Sequence, residues 1–149
     1  MPSPLSILFA GAGAFGIPTL RAIVNAGYRV PLVITQPDKP AGRGAKLTPT
    51  PIADEAVKLG LPLLKTENIN AEILPEADLL VVIAFGQKIA EHVVNAPRLS
   101  AVNLHASRLP RHRGAAPVNW AILAGDTVSG NSIIRLASKM DAGAVLAMS

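Results

Sequence analysis

No cysteine occurs among the 149 residues of the chain, which excludes disulfides, thiolate metal sites and a cysteine nucleophile together. That absence suits a reducing cytoplasm. Aromatic residues make up only 3% of the chain while half of it is apolar. The core must therefore be aliphatic, built from Ala, Val, Ile and Leu, and no segment has the composition of a disordered one. Long apolar runs are also missing: none approaches the ~18 uninterrupted residues that a membrane helix needs. The start, Met1-Pro2-Ser3-Pro4, lacks a basic region followed by a long apolar stretch, so a signal peptide is not expected. These absences predict a soluble, cytoplasmic protein with no membrane partner and no metal.

What is present fits one domain with room for a core. Fourteen basic and ten acidic residues leave a net charge of +4. Position says more than the total. Lys39, Arg43 and Lys46 share one short stretch, and Arg108, Arg111 and Arg113 share another with His112 between them. Both stretches read as loops, so an anionic partner is expected.

Apolar runs and turn residues alternate along the chain in the manner of βα units. Residues 5–10 read as a buried strand, followed by a glycine-rich turn and a helix from Pro18 to Ala26, with Gly27 at its stop. Residues 29–35 read as a second strand, 36–51 as a long loop, and 52–59 as a short helix ending at Gly60. A weak strand (61–64) and a helical fragment (71–74) come next, then the clearest central strand, 79–84, which should be buried on both faces. Residues 87–94 read as a helix, 101–104 as a strand, 118–124 as a helix, and 132–136 with 144–147 as a closing pair of strands. This order predicts an α/β fold: an open, mostly parallel twisted sheet with helices on both faces. Ligands of such sheets bind beyond the carboxyl ends of the strands.

Gly11-Ala12-Gly13-Ala14-Phe15-Gly16 follows the first strand and opens a helix, the setting of the dinucleotide fingerprint. That motif also calls for an acid at the end of the second strand. Here the strand ends Val33-Ile34-Thr35-Gln36-Pro37, and Asp38 lies beyond a proline. The alternative is that the glycines only allow a close strand-to-helix turn.

A second constellation carries more chemistry. Asn103 and His105 fall at the end of a strand, where alternation puts both on the same side of the chain. Asp141 sits in a second loop, Lys139-Met140-Asp141-Ala142-Gly143. An Asn, a His and an Asp suit transfer of an acyl group to an amine. The amide donates to a developing oxyanion, the imidazole donates or moves a proton, and the carboxylate orients the imidazole and helps accept the amine proton. Each residue alone also has an ordinary reading, as a turn former or a plain polar residue.

The stretch from Asn103 through Leu104, His105, Ala106, Ser107, Arg108, Leu109, Pro110, Arg111, His112, Arg113, Gly114, Ala115 and Ala116 to Pro117 resembles the signature of the folate-dependent formyltransferases, and Trp120 to Asp126 continues the likeness. That resemblance implies a Rossmann-like formyltransferase fold with Asn103, His105 and Asp141 as the catalytic set. It implies tetrahydrofolate contacts at Ser107, Arg108, Leu109 and Pro110, and a pterin pocket lined by the strand and turn from Val81 to Gln87, with Phe85, Gly86 and Gln87 at its end. The loop from Thr35 to Pro51 is similar to that of the methionyl-tRNA branch of the family, in which it reaches toward the tRNA acceptor end. Lys39, Arg43 and Lys46 would then face tRNA. Within that branch the co-substrate is 10-formyltetrahydrofolate, the acceptor is the α-amine of methionyl-tRNA, and the product is initiator formylmethionyl-tRNA. The resemblance further implies that residues 1–149 are a catalytic domain incomplete at its C-terminal end, without the β-barrel domain with which the family holds tRNA, and a monomer is expected. Three rivals stand beside this reading: a formyltransferase acting on glycinamide ribonucleotide or an amino sugar nucleotide, a nucleotide-binding oxidoreductase using Gly11 to Gly16, and a folded fragment without activity by itself.

Overall fold

A computed structural model describes residues 3–137 and 141–149. Its centre is a seven-stranded sheet. The strands are β1 (Ile7–Gly11), β2 (Val33–Thr35), β5 (Leu63–Lys65), β6 (Leu79–Ile83), β7 (Ser100–His105), β8 (Ser132–Arg135) and β9 (Val145–Met148), in the order β5-β2-β1-β6-β7-β8-β9. The first five run parallel, whereas β7–β8 and β8–β9 pair antiparallel. From β1 the chain builds outward to β2 and β5, then returns to β6 on the opposite side and continues to β9. The reversal lies between β1 and β6, and a crevice opens at such a point beyond the carboxyl ends of the strands.

Strict alternation sorts the aliphatic side chains onto two faces. Phe9, Val33 and Ile83 turn to one face, where they meet Leu20, Ile52 and Ala56 of the helices α1 (Ile17–Asn25) and α2 (Pro51–Lys58). Leu8, Ala10, Ile34, Leu80 and Val82 turn to the other, against Ile69 and Val93. Val93 belongs to the short helix α3 (Glu91–Val94), and Ile69 opens a 3-10 turn, Ile69–Ala71. A sheet buried on both faces needs the continuous apolar runs seen in β1 and β6. The last helix, α4 (Pro117–Leu123), joins β7 to β8. The predicted α/β architecture is therefore the observed one, closing pair of strands included, and that pair is antiparallel.

Four local expectations are corrected. The second strand is three residues long rather than seven, with only an isolated bridge from Ser6 to Arg29 ahead of it; Pro31 has no N–H to give to a ladder. The loop 36–51 contains an antiparallel hairpin, β3 (Lys39–Ala41) and β4 (Lys46–Thr48), turned through Gly42 and Gly44 at positive φ. The expected helix over 87–94 is confined to α3, because Gln87 and Ala90 bond to the segment 66–70 instead of to a helical turn. The helical fragment expected at 71–74 is the 3-10 turn just upstream, which Asn68 opens by accepting the Asn70 N–H.

Candidate active site

β7 carries Asn103 and His105 to its carboxyl end, between β6 and β8. Asn103 lies opposite Val82 on one side and Ile134 on the other, and His105 lies opposite Ser132. The chain then makes a loop, 106–116, before α4. Two buried hydroxyls pin that loop. Ser107 Oγ donates to the Arg111 carbonyl at 2.7 Å, and Ser132 Oγ donates to the Ser107 carbonyl at 2.7 Å while accepting the Leu109 N–H at 3.0 Å.

Asp141 reaches the same place from beyond β8. Its Oδ1 stands 3.6 Å from His105 Nδ1, with both side chains only 7% exposed, and its Oδ2 accepts the Gly114 N–H at 2.7 Å. One carboxylate thus faces the imidazole and fastens the loop. The other imidazole nitrogen, Nε2, lies 2.8 Å from the His112 carbonyl. His105 and Asp141 are brought together, and Asn103 stands two residues before His105 on the same face of β7. Asn103 is half-buried and makes no side-chain hydrogen bond to another described residue. Lys139 and Met140, named with Asp141 in the sequence reading, lie outside the described residues.

The residues expected to touch folate divide. Ser107 is buried and holds the loop, whereas Arg108, Pro110 and the largely buried Leu109 line an open cleft of about 360 Å³ with His112, Asp126 and Met148. Phe85 is 3% exposed, so its ring belongs to the core, and its carbonyl accepts from Gln36 Nε2 at 3.1 Å. The Gln87 amide is occupied: it accepts the Ile69 N–H at 2.9 Å and donates to the Thr66 carbonyl at 2.8 Å. Gly86, at positive φ, offers backbone alone. Lys39, Arg43 and Lys46 are all exposed on the hairpin β3–β4. The hairpin rises from the same sheet edge as β7 but from β2, three inter-strand spacings away, or about 14 Å.

The glycine-rich turn has a packing role. A Cβ on Gly11 would lie 2.8 Å from the Ile83 carbonyl oxygen and 2.9 Å from the Phe9 ring. The Ala12 and Gly13 N–H groups, which a phosphate would need, donate to the Ala84 carbonyl at 3.1 and 3.4 Å. Together with the missing acid after β2, this removes the support for the oxidoreductase reading.

Sequence reasoning missed Asp126. Its carboxylate, in a side chain 9% exposed, accepts from His112 Nε2 at 2.7 Å and from Arg111. The His112 hydrogen bond holds this carboxyl below the usual carboxylate range against the opposing effect of burial, with Arg111 adding to the lowering. The available signal was a single acid, Asp126, closing a stretch that follows a strongly basic loop.

Comparison with known proteins agrees with this geometry. The profile of the Formyl transferase family matches residues 6–149. A methionyl-tRNA formyltransferase of Methylobacillus flagellatus is 46% identical over 148 residues, an alignment covering 95% of this chain and 48% of that protein. The chain spans about half the length of the curated relatives it matches. Among solved structures, glycinamide ribonucleotide transformylase 1 from Symbiobacterium toebii superposes with a TM-score of 0.74 at 17% identity, covering 98% of this chain and 72% of that one. A sugar 3N-formyl transferase, solved in the presence of dTDP and 5-N-formyl-THF, superposes with a TM-score of 0.68 at 19% identity, covering 99% of this chain and 52% of that one. These two likenesses are of fold. With a family match over nearly its whole length and the Asn–His–Asp cluster at the strand ends, the chain belongs to the formyl transferase family.

Proposed function

We propose that this chain carries the formyl-transfer site of a methionyl-tRNA formyltransferase, which moves the formyl group of 10-formyltetrahydrofolate to the α-amine of methionyl-tRNA. The observation that carries the reading is the pairing of the buried His105 and Asp141 side chains, with Asn103 on the same face of β7 as His105. Identity of 40–46% to relatives bearing that name supports the acceptor, as do the three cations on the hairpin, which match a phosphate backbone.

Folate supplies the formyl group on its N10 nitrogen. The acceptor amine must be neutral to attack, and a free α-amine titrates near pH 7.7–8.0, lower still beside an ester. As its nitrogen bonds to the formyl carbon, negative charge develops on the formyl oxygen, where the Asn103 amide donates a hydrogen bond and the His105 ring donates another once it has taken the amine proton. The amine proton passes to the His105–Asp141 pair and from there to N10 as the carbon–N10 bond breaks, so no proton is left over. No covalent enzyme intermediate is required. Arg108 and Pro110 face the folate side, with Gly86 lending backbone, while Lys39, Arg43 and Lys46 face tRNA. The protein works as a cytoplasmic monomer.

Formyl transfer from 10-formyltetrahydrofolate to methionyl-tRNA, with glycinamide ribonucleotide and an amino sugar nucleotide as competing acceptors, tests this directly. His105→Ala should lower turnover by about a hundredfold or more. Near-normal turnover in that variant, or preference for another acceptor, would overturn the assignment.

A further inference from the structure

The nitrogen of His105 that faces away from Asp141 is 2.8 Å from the main-chain carbonyl of His112. A carbonyl only accepts, so Nε2 must carry a proton. His112 presents that carbonyl from a left-handed backbone, φ +56°, a conformation that a residue with a Cβ holds only where its surroundings enforce it. The surroundings are visible. The His112 ring donates through Nε2 to Asp126 Oδ2 at 2.7 Å, and Asp126 also accepts from the neighbouring Arg111. The carbonyl of Arg111 is in turn held by the buried Ser107 hydroxyl. Three successive constraints therefore aim one carbonyl at one imidazole nitrogen.

The other nitrogen, Nδ1, stands 3.6 Å from Asp141 Oδ1. That is too long for a hydrogen bond, so Nδ1 is not committed to Asp141. We propose that His112, clamped by Asp126, is a positioning residue for the formyl-transfer reaction. Its carbonyl holds the Nε2 proton of His105, fixing the ring's orientation and leaving Nδ1 as the nitrogen that acts on substrate. The proposal rests on the formyl-transfer reading for its catalytic meaning, but the ring state it specifies does not depend on substrate. In the familiar serine-protease arrangement Nδ1 is the anchored nitrogen and Nε2 works; here the roles are exchanged.

Long-range proton–nitrogen correlation spectra of the chain labelled with 15N-histidine report which ring nitrogen is protonated. His105 should show a protonated Nε2 at neutral pH, and a bare Nε2 with the proton on Nδ1 alone would overturn the proposal whatever the enzyme's activity. In Asp126→Ala the single His105 ring state should be lost. Turnover should then fall about tenfold or more through misplacement of the ring, with KM for methionyl-tRNA within about twofold. Asp126→Asn keeps an acceptor oxygen for the His112 ring and should restore most of the turnover. Unchanged turnover and an unchanged His105 spectrum in Asp126→Ala would overturn the clamp. Should that variant not fold, His112→Phe, which removes the ring contact and keeps the main chain, is read in the same way. Lack of formyl transfer by the unmodified chain bears on the functional reading alone, because the ring state is read without substrate.

Discussion

A single methyl group at residue 11 would have nowhere to go. The Ile83 carbonyl and the Phe9 ring leave it less than 3 Å, and Ile83 is the register partner of Gly11 across β1 and β6. Gly11→Ala should therefore push apart the two central strands and destabilise the fold by about 1–3 kcal/mol, the usual cost of overpacking. A denaturant midpoint equal to that of the parent chain would show that the close approach is not limiting. The same scale explains Phe85 and Gln87, which follow a central strand and invite a ligand role. Residue type does not reveal that a ring is 3% exposed or that an amide is spent on Ile69 and Thr66. Asn103, His105 and Asp141 were legible as candidates because their chemistry is specific and strand alternation is a rigid rule. Asp126 was not, because its meaning depends on two partners that only the folded loop brings to it.

The hairpin β3–β4 shows which elements a sequence discloses. Lys39-Pro40-Ala41 and Lys46-Leu47-Thr48 are exposed throughout, so no buried face imposes the period of two on which strand recognition depends. β6, apolar along its length and flanked by a strand on either side, needed no such help. β2 was overread because the stretch leading to it looks apolar, although Pro31 interrupts the ladder. The base of the hairpin is firm. Thr35 and Thr50 share a hydroxyl–hydroxyl bond of 2.6 Å, Gln36 reaches the Phe85 carbonyl, and Lys65 bonds Asp38 at 2.6 Å. Thr50 also caps α2 by accepting the Ala53 N–H. A firm base with a charged, solvated tip suits an arm that meets a large polyanion. Arg43→Ala should raise KM for methionyl-tRNA several-fold, with a shallower salt dependence, and leave KM for the folate unchanged. Equal losses toward both substrates would contradict the arm's assignment.

At the scale of the whole molecule, three of the carboxylates that join separate parts of the chain share one property. Glu55 on α2 binds Arg21 on α1; Asp78 binds the Ser6 main chain and Arg98 around the starts of β1, β6 and β7; Asp126 binds the active-site loop. Each is held below its ordinary range. The Arg21 hydrogen bond does this for Glu55, the Ser6 N–H followed by Arg98 for Asp78, and the His112 hydrogen bond for Asp126. A carboxyl whose folded pKa is lowered binds more protons when unfolded, so its stabilisation is present above the unfolded value and is lost as pH falls through the folded one. With reference values of 4.5 for Glu55 and 3.8 for Asp78 and Asp126, the thermal midpoint should show no loss from these groups above about pH 5 and should fall steadily below about pH 4. Replacing Asp78 by Asn should flatten that acid limb, and an unaltered limb would remove Asp78 from the account.

The bond from the Gly114 amide to Asp141 Oδ2 ties the timing of two events together. The carboxylate that faces His105 also holds the loop closed, so that amide trades its hydrogen with solvent only while Asp141 has let go. Each such opening is also an interval in which His105 faces no carboxylate, and the exchange clock of one backbone proton therefore counts the fraction of time the proposed catalytic set stands assembled.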